Sequence, residues 1–388
     1  MKRWTGGRVK LAHNSLREAI RGKRIAMMIN SSAIHNDGRF LMDVIVEEKW
    51  AEVAFFLGIE HGIRNDLENE HDNLGLVDKK TGIRIVNLYR YPGYRPPVEE
   101  LRTVDAVVYC AQDSGVRHWT FTPWMQFLVQ SVAEAGCELI IVDRPNPLRG
   151  DIVEGKCTEP KYEGTILTGY GYPLRHGMTI GELALFHNDD RHLGAKITVL
   201  PMEGWTRDMW YSDTGLMWLP PTPNISTPER LLSYLTIGLF QGSNLSMGHG
   251  TVIPFEFIGH PEFSADDFAN ELNSRDLPHV YFAARSFMSG GWNARKDLVP
   301  CRGVVILIED RNRYRAVPTQ LHLMDAALKL YPEIVDLEAG GGWARPRMGT
   351  DDVFDCVARG ESVLSLIEPW EASAEEFRRR RRPYLLYQ

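Results

Sequence analysis

The chain is expected to be an α/β protein, with a Rossmann-like, largely parallel sheet and a second, smaller α/β domain. Two observations predict this. Short apolar runs at residues 25–29, 53–57, 83–88, 105–110 and 138–142 have strand length, and the stretches 41–50 and 121–136 between them carry helical spacing. Strands and helices that alternate in this way build crossover units, whose strands run parallel. The second is a change of pattern after Leu219-Pro-Pro-Thr-Pro-Asn224, where proline forbids a continuing helix and sets an extended joint.

Taken in order, 25–29 and 53–57 are buried strands flanking a helix at 41–50, and 83–88 is a third strand. The stretch 121–136 is the clearest helix: Phe121, Met125, Leu128, Val129, Val132 and Ala133 share one face, and Gly136 stops it. These strands place residues 1–225 in a Rossmann-like domain that carries most of the site. Beyond the joint, helix signals at 264–274, 319–330, 350–359 and 372–382 surround strands at 280–284 and 304–308, so 226–388 reads as a smaller domain closing the cleft.

With 388 residues, 44% of them apolar, the chain is long enough for two cores. A net charge of −7 argues against a nucleic-acid partner, which needs a basic field. The one long basic run, Arg378 to Arg382, reads as the solvated end of a helix. Five cysteines without a Cys-x-x-Cys pair suit a reducing, cytoplasmic setting. Charged residues interrupt the N-terminal region, so neither a signal peptide nor a membrane span is expected. Oligomeric state is not legible.

Three strand runs end in polar tips: Ile59-Glu60-His61-Gly62, Gln112-Asp113-Ser114-Gly115 and Asp143-Arg144-Pro145-Asn146-Pro147. In an open parallel sheet the carboxyl ends of the strands are where ligands bind. The segments IEHGIR, AQDSGVRHWTF, VDRPNPLRGDIVEG, PLRHGMTIGELA, MEGWTRDMWY, PPTPNISTPE and QGSNLSMGHGTVIPFE, in this order and at this spacing, resemble the bacterial exo-β-N-acetylmuramidase family called NamZ. The resemblance covers nearly the whole chain from Ile25 and implies a glycosidase releasing terminal N-acetylmuramic acid or a related amino sugar.

Glycosidic cleavage calls for a carboxylic acid to protonate the leaving oxygen and a second group at the anomeric centre. Glu60 is the first choice for the acid, with Gly62 allowing a tight turn; the alternative is a helix-capping carboxylate. Asp113 and Asp143 are candidates for the second carboxylate, although Asp143 and Arg144 also read as a local ion pair. Arg117 and Arg175 are donors suited to the lactyl carboxylate that a muramic acid substrate would bring. His61 and His176 are candidates to donate to sugar hydroxyls, as are Asn146 and Asn224 from proline-fixed loops. Trp205, Trp210 and Trp218 read as core or as a sugar platform.

The glycine-rich stretch 241–251, with Asn244 and His249, reads as a ligand loop. It departs from the resembled family, which commonly has glutamate where Gln241 and Met247 stand and arginine where His249 stands. That departure predicts a weakened grip on a substrate carboxylate. No metal is expected: Glu68, Glu70, His71 and Asp72 lack ligand spacing and read as a solvated loop. No phosphate-binding glycine signature follows the first strand, so no nucleotide cofactor is expected. Two other readings stay open, a diverged cytosolic enzyme modifying a small metabolite and a non-catalytic glycan binder.

Overall fold

The computed structural model describes residues 7–65, 77–290 and 298–388. Its first sheet contains β1 (Arg24–Ile29), β2 (Glu52–Gly58), β3 (Arg84–Asn87), β4 (Ala106–Cys110), β5 (Glu138–Val142) and β6 (Ile197–Leu200), in the order β3-β2-β1-β4-β5-β6. Every neighbouring pair is parallel. The order reverses between β1 and β4, the point at which a doubly wound sheet opens a crevice. The short strand β6 lies outside the sequence-based expectation, because four residues at a sheet edge give little periodicity.

Both faces of this sheet are covered, which explains the near-continuous apolar strands. Along β1, Ala26 and Met28 pack toward α4 (Phe121–Ala135), whereas Ile25, Met27 and Ile29 join the layer of α1 (His13–Ala19) and α2 (Leu41–Glu47). The two-residue alternation of a strand thus divides its side chains between two cores. A short α3 (Val98–Leu101) precedes β4, and α4 ends at Gly136, whose φ of 77° is the left-handed stop its sequence predicts. Helix α5 (Ile180–Asp190) opens with a capping box between Thr179 and Glu182.

The second sheet contains β7 (Phe257–His260), β8 (Val280–Ser289) and β9 (Val299–Ile308), antiparallel in the order β7-β9-β8. Around it stand α6 (Arg230–Ile237), α7 (Ala265–Asn273), α8 (Ala316–Leu330), α9 (Ala344–Met348), α10 (Asp352–Ala358) and α11 (Ile367–Arg381). Helices α8 and α11 begin before the expected 319 and 372. Pro318 and Pro369 fall in their first turns, where a missing N–H costs nothing.

One apolar cluster runs from α4 through Leu231, Leu235 and Phe255 to Val304 and Phe377, so the two sheets share a core. The chain end then returns to the first sheet: the Tyr387 hydroxyl donates to Asp143 over 2.6 Å. The arginine run is not simply solvated, as its sequence suggests. Arg381 is 5% exposed and donates to the carbonyls of Gly150, His176 and Gly177, docking α11 on that loop.

Candidate active site

Glu60 stands two residues beyond β2, half-buried, in a turn held by Gly62 N–H donating to the Ile59 carbonyl. His61 and Gly62 both adopt left-handed φ, at 62° and 75°. A non-glycine residue held there stores strain, a feature that clusters at functional sites. The side chain of Glu60 accepts from the hydroxyl of Thr120, at the start of α4, rather than capping a helix.

Two residues on, Thr122 donates to Asp113 over 2.7 Å. Both carboxylates at these strand ends are therefore tied to one helix start. Asp113 also accepts from Gly115 N–H at 2.8 Å and lies 3.2 Å from Nε2 of His176. Burial alone would raise its pKa, but His176 and these donors hold it below the usual carboxylate value.

The second domain completes the surroundings of Glu60. The Tyr234 hydroxyl, on α6, donates to the His118 carbonyl at 3.1 Å, and the two rings lie 4.8 Å apart. Arg347, on α9, lies within electrostatic reach of both Glu60 and Tyr234 and donates to Oε1 of Gln241. Gly238 is required beside His118, since a Cβ there would stand 2.0 Å from Nε2. Among the described residues, several buried polar atoms here have no partner: both ring nitrogens of His118, Nδ1 of His61, Nε1 of Trp119, Nε2 of Gln241 and Nε of Arg347. Buried polar groups are ordinarily satisfied, so a concentration of open donors marks a place for a polar ligand.

Other expected residues serve the scaffold. Arg117 is wholly buried, and its two terminal nitrogens donate to the carbonyls of Lys156, Arg347 and Met348. Burial lowers its pKa to about 10. Arg175 is equally buried, its two terminal nitrogens donating to Glu154, at 2.6 Å, and to the Leu148 carbonyl. Asn146 bridges Leu148 N–H and the Met178 carbonyl. Asn244 clips Asp336 N–H and the Ile334 carbonyl.

His249 is buried with its ring 5.1 Å from Phe255, which in turn packs 4.7 Å from Tyr234. Asn224 is half-buried in the joint, and the Glu60 turn reaches that joint through Asn65 Nδ2 on the Pro220 carbonyl. Trp205 and Trp210 are core, the latter facing the guanidinium groups of Arg149, Arg175 and Arg311. A cavity of about 160 Å³ between Pro147, Trp210, Leu232 and Arg311 is lined by neither Glu60 nor Arg347.

Asp143 forms no ion pair with Arg144, whose Nε goes to Gln112. It accepts instead from Thr179, Gly181 N–H and Tyr387. Burial, reinforced by nearby Glu182 and opposed by these donors, raises its pKa from 3.8 to about 6. A carboxyl whose folded pKa is raised contributes stability that is complete below its unfolded value and is lost as pH rises through the folded one. Asp143→Asn is therefore expected to flatten the decline in urea stability between about pH 4 and pH 6. An unchanged slope would remove Asp143 from the titration.

The acid and imidazole stretch at 68–72 lies outside the described residues. Among the described residues no cluster of three or more His, Cys, Asp or Glu is placed to hold a metal ion. Thr120, Tyr234 and Arg347 were not singled out from sequence. The tyrosine and arginine lie far along the chain from any strand-end motif, and only the adjacency of Trp119-Thr120-Phe121 to the 112–118 tip hints at the threonine.

A carboxylate at the carboxyl end of a doubly wound sheet, beside a second α/β unit and open hydrogen-bond donors, is an arrangement that glycosidic cleavage can use, and sequence similarity places the chain among glycosidase-like hydrolases. Models of the exo-β-N-acetylmuramidase NamZ N-terminal and C-terminal regions match residues 25–229 and 232–387. The peptidoglycan β-N-acetylmuramidase NamZ of Bacillus subtilis is 33% identical over 379 residues, covering 96% of this chain and 88% of that protein. Two DUF1343 family crystal structures from Bacteroides fragilis align over 98% of this chain and 99% of theirs, with TM-scores of 0.87 and 0.75 at 28% and 25% identity. The chain belongs to the NamZ family.

Proposed function

We propose that this protein removes a terminal N-acetylmuramic acid, or a related amino sugar, from peptidoglycan fragments, with Glu60 as the general acid. The observation that carries the reading is the setting of Glu60: half-buried at a strand end, hydrogen-bonded by Thr120, and near buried donors that have no partner among the described residues. A carboxyl so placed is able to protonate a leaving oxygen while His61 and His118 address the sugar hydroxyls. Asp113 acts as a positioning group that fixes His176 and the start of α4. Family membership and the Bacillus subtilis relative support the same chemistry.

All five cysteines are free thiols, which suits work in a reducing compartment. No described helix is long and apolar enough to cross a membrane.

Incubation with short glycan fragments ending in N-acetylmuramic acid tests the reading. Free muramic acid should accumulate, and fragments ending in N-acetylglucosamine should persist. Release from internal bonds, or none from either end, would overturn it.

A further inference from the structure

We infer that Trp343 is the platform for the leaving part of the substrate: the sugar on the far side of the scissile bond stacks its apolar C–H face on this exposed indole. The inference rests on the glycosidase reading and deepens it, since it concerns how the chain beyond the terminal sugar is held and not the terminal sugar itself.

Among the described tryptophans Trp343 alone is exposed, at 53%; the others are buried or half-buried. Indole is the largest aromatic side chain, and one left in water forgoes its apolar burial until something covers it. Its place in the fold says what does. Residues 341–343 form a short 3₁₀ turn that runs straight into α9, and Trp343, at φ −90° and ψ −26°, already has helical backbone. Arg347 follows four residues later, so the two side chains share one helix face, about 6 Å apart along its axis. Arg347 is buried and lies within electrostatic reach of Glu60. One helix face therefore leads from the surroundings of Glu60 to an open ring, over a step the size of a sugar.

The mount of this ring is fixed although the ring is open. Gly340 N–H donates to the Gly242 carbonyl at 2.9 Å, and Gly341 N–H to the Glu338 carbonyl at 2.8 Å. A Cβ on Gly242 would stand 2.4 Å from Cα of Ala344, so only glycine lets the two segments meet. The adjacent Gln241 accepts from Arg347. Main-chain packing thus holds Trp343 on the segment that also positions Arg347, and a platform fixed in advance loses little freedom when a ligand covers it. The leaving oxygen that Glu60 protonates belongs to the next sugar, which runs outward when only chain ends are cleaved. β-Linked N-acetylglucosamine carries equatorial substituents, and its axial C–H bonds form apolar faces that match an indole; a methyl leaving group offers none.

Calorimetric titration with two sulfur-linked probes that resist cleavage tests the assignment without requiring turnover: N-acetylmuramic acid joined to N-acetylglucosamine, and its methyl thioglycoside. The native protein should bind the disaccharide about 10-fold more tightly than the methyl probe, the ratio that one aromatic stacking contact supplies. Trp343→Ala should bring that ratio close to one, and Trp343→Phe should restore most of it. The position is exposed, so neither change burdens the fold. A ratio near one in the native protein, a ratio that survives in Trp343→Ala, or no binding of either probe would overturn the inference. Failure of the glycosidase reading shows separately, as preference for the disaccharide without release of muramic acid from oxygen-linked fragments.

Discussion

Glu60→Gln is expected to lower turnover of a muramic-acid-ended fragment by about 10² or more while leaving sugar affinity nearly intact, because glutamine keeps the shape but has no proton to give. The local geometry makes this a clean test. The Thr120 hydroxyl donates to Oε2 of Glu60, and the amide oxygen of glutamine accepts the same bond, so the turn at 60–62 need not move. Loss of binding together with turnover would point to a structural role. Unchanged turnover would remove Glu60 from the mechanism.

Glu154→Ala should cost about 3 to 5 kcal/mol of folding stability, the usual penalty for stranding a buried charge. Glu154 and Arg175 are 2% and 0% exposed, joined by a 2.6 Å ion pair and by reciprocal main-chain bonds. The second oxygen of Glu154 accepts from Val317 N–H in the first turn of α8, so the residue also ties the second domain to the first. Removing it leaves a wholly buried guanidinium without its ion-pair partner, facing the Leu148 carbonyl and the Trp210 ring. Urea unfolding measures the change, and a loss below about 1 kcal/mol would show that water or a neighbour compensates.

The strand runs at 25–29, 53–57, 105–110 and 138–142 were legible because their side chains are buried on both faces, and a continuous apolar run of that length leaves few alternatives. Gly136 marked the end of α4 because only a left-handed residue turns the chain there. Glu60 was legible as a rim residue for a related reason: a carboxylate just after a buried strand must emerge at the rim of the sheet. By itself, then, the sequence determined the α/β class, the parallel order of its first half and the rim on which chemistry can occur. It also carried the family motifs.

The use of each polar side chain was decided only by the tertiary structure. Arg117, Arg175 and Arg347 look alike in sequence, yet one holds helix-end carbonyls, one meets a buried glutamate and one meets the amide of Gln241 beside Tyr234 and Glu60. The same holds at 378–382, where a run of like residues divides between solvent and a buried clamp at Arg381. Burial fixes whether a charge needs a partner, and the oxygen within about 3 Å fixes what the partner is. Both are set by segments far apart in the chain, as Thr120, Tyr234 and Arg347 are around Glu60. Local sequence patterns carry the periodicity of strands and helices, and they hold no record of which distant oxygen a guanidinium will meet.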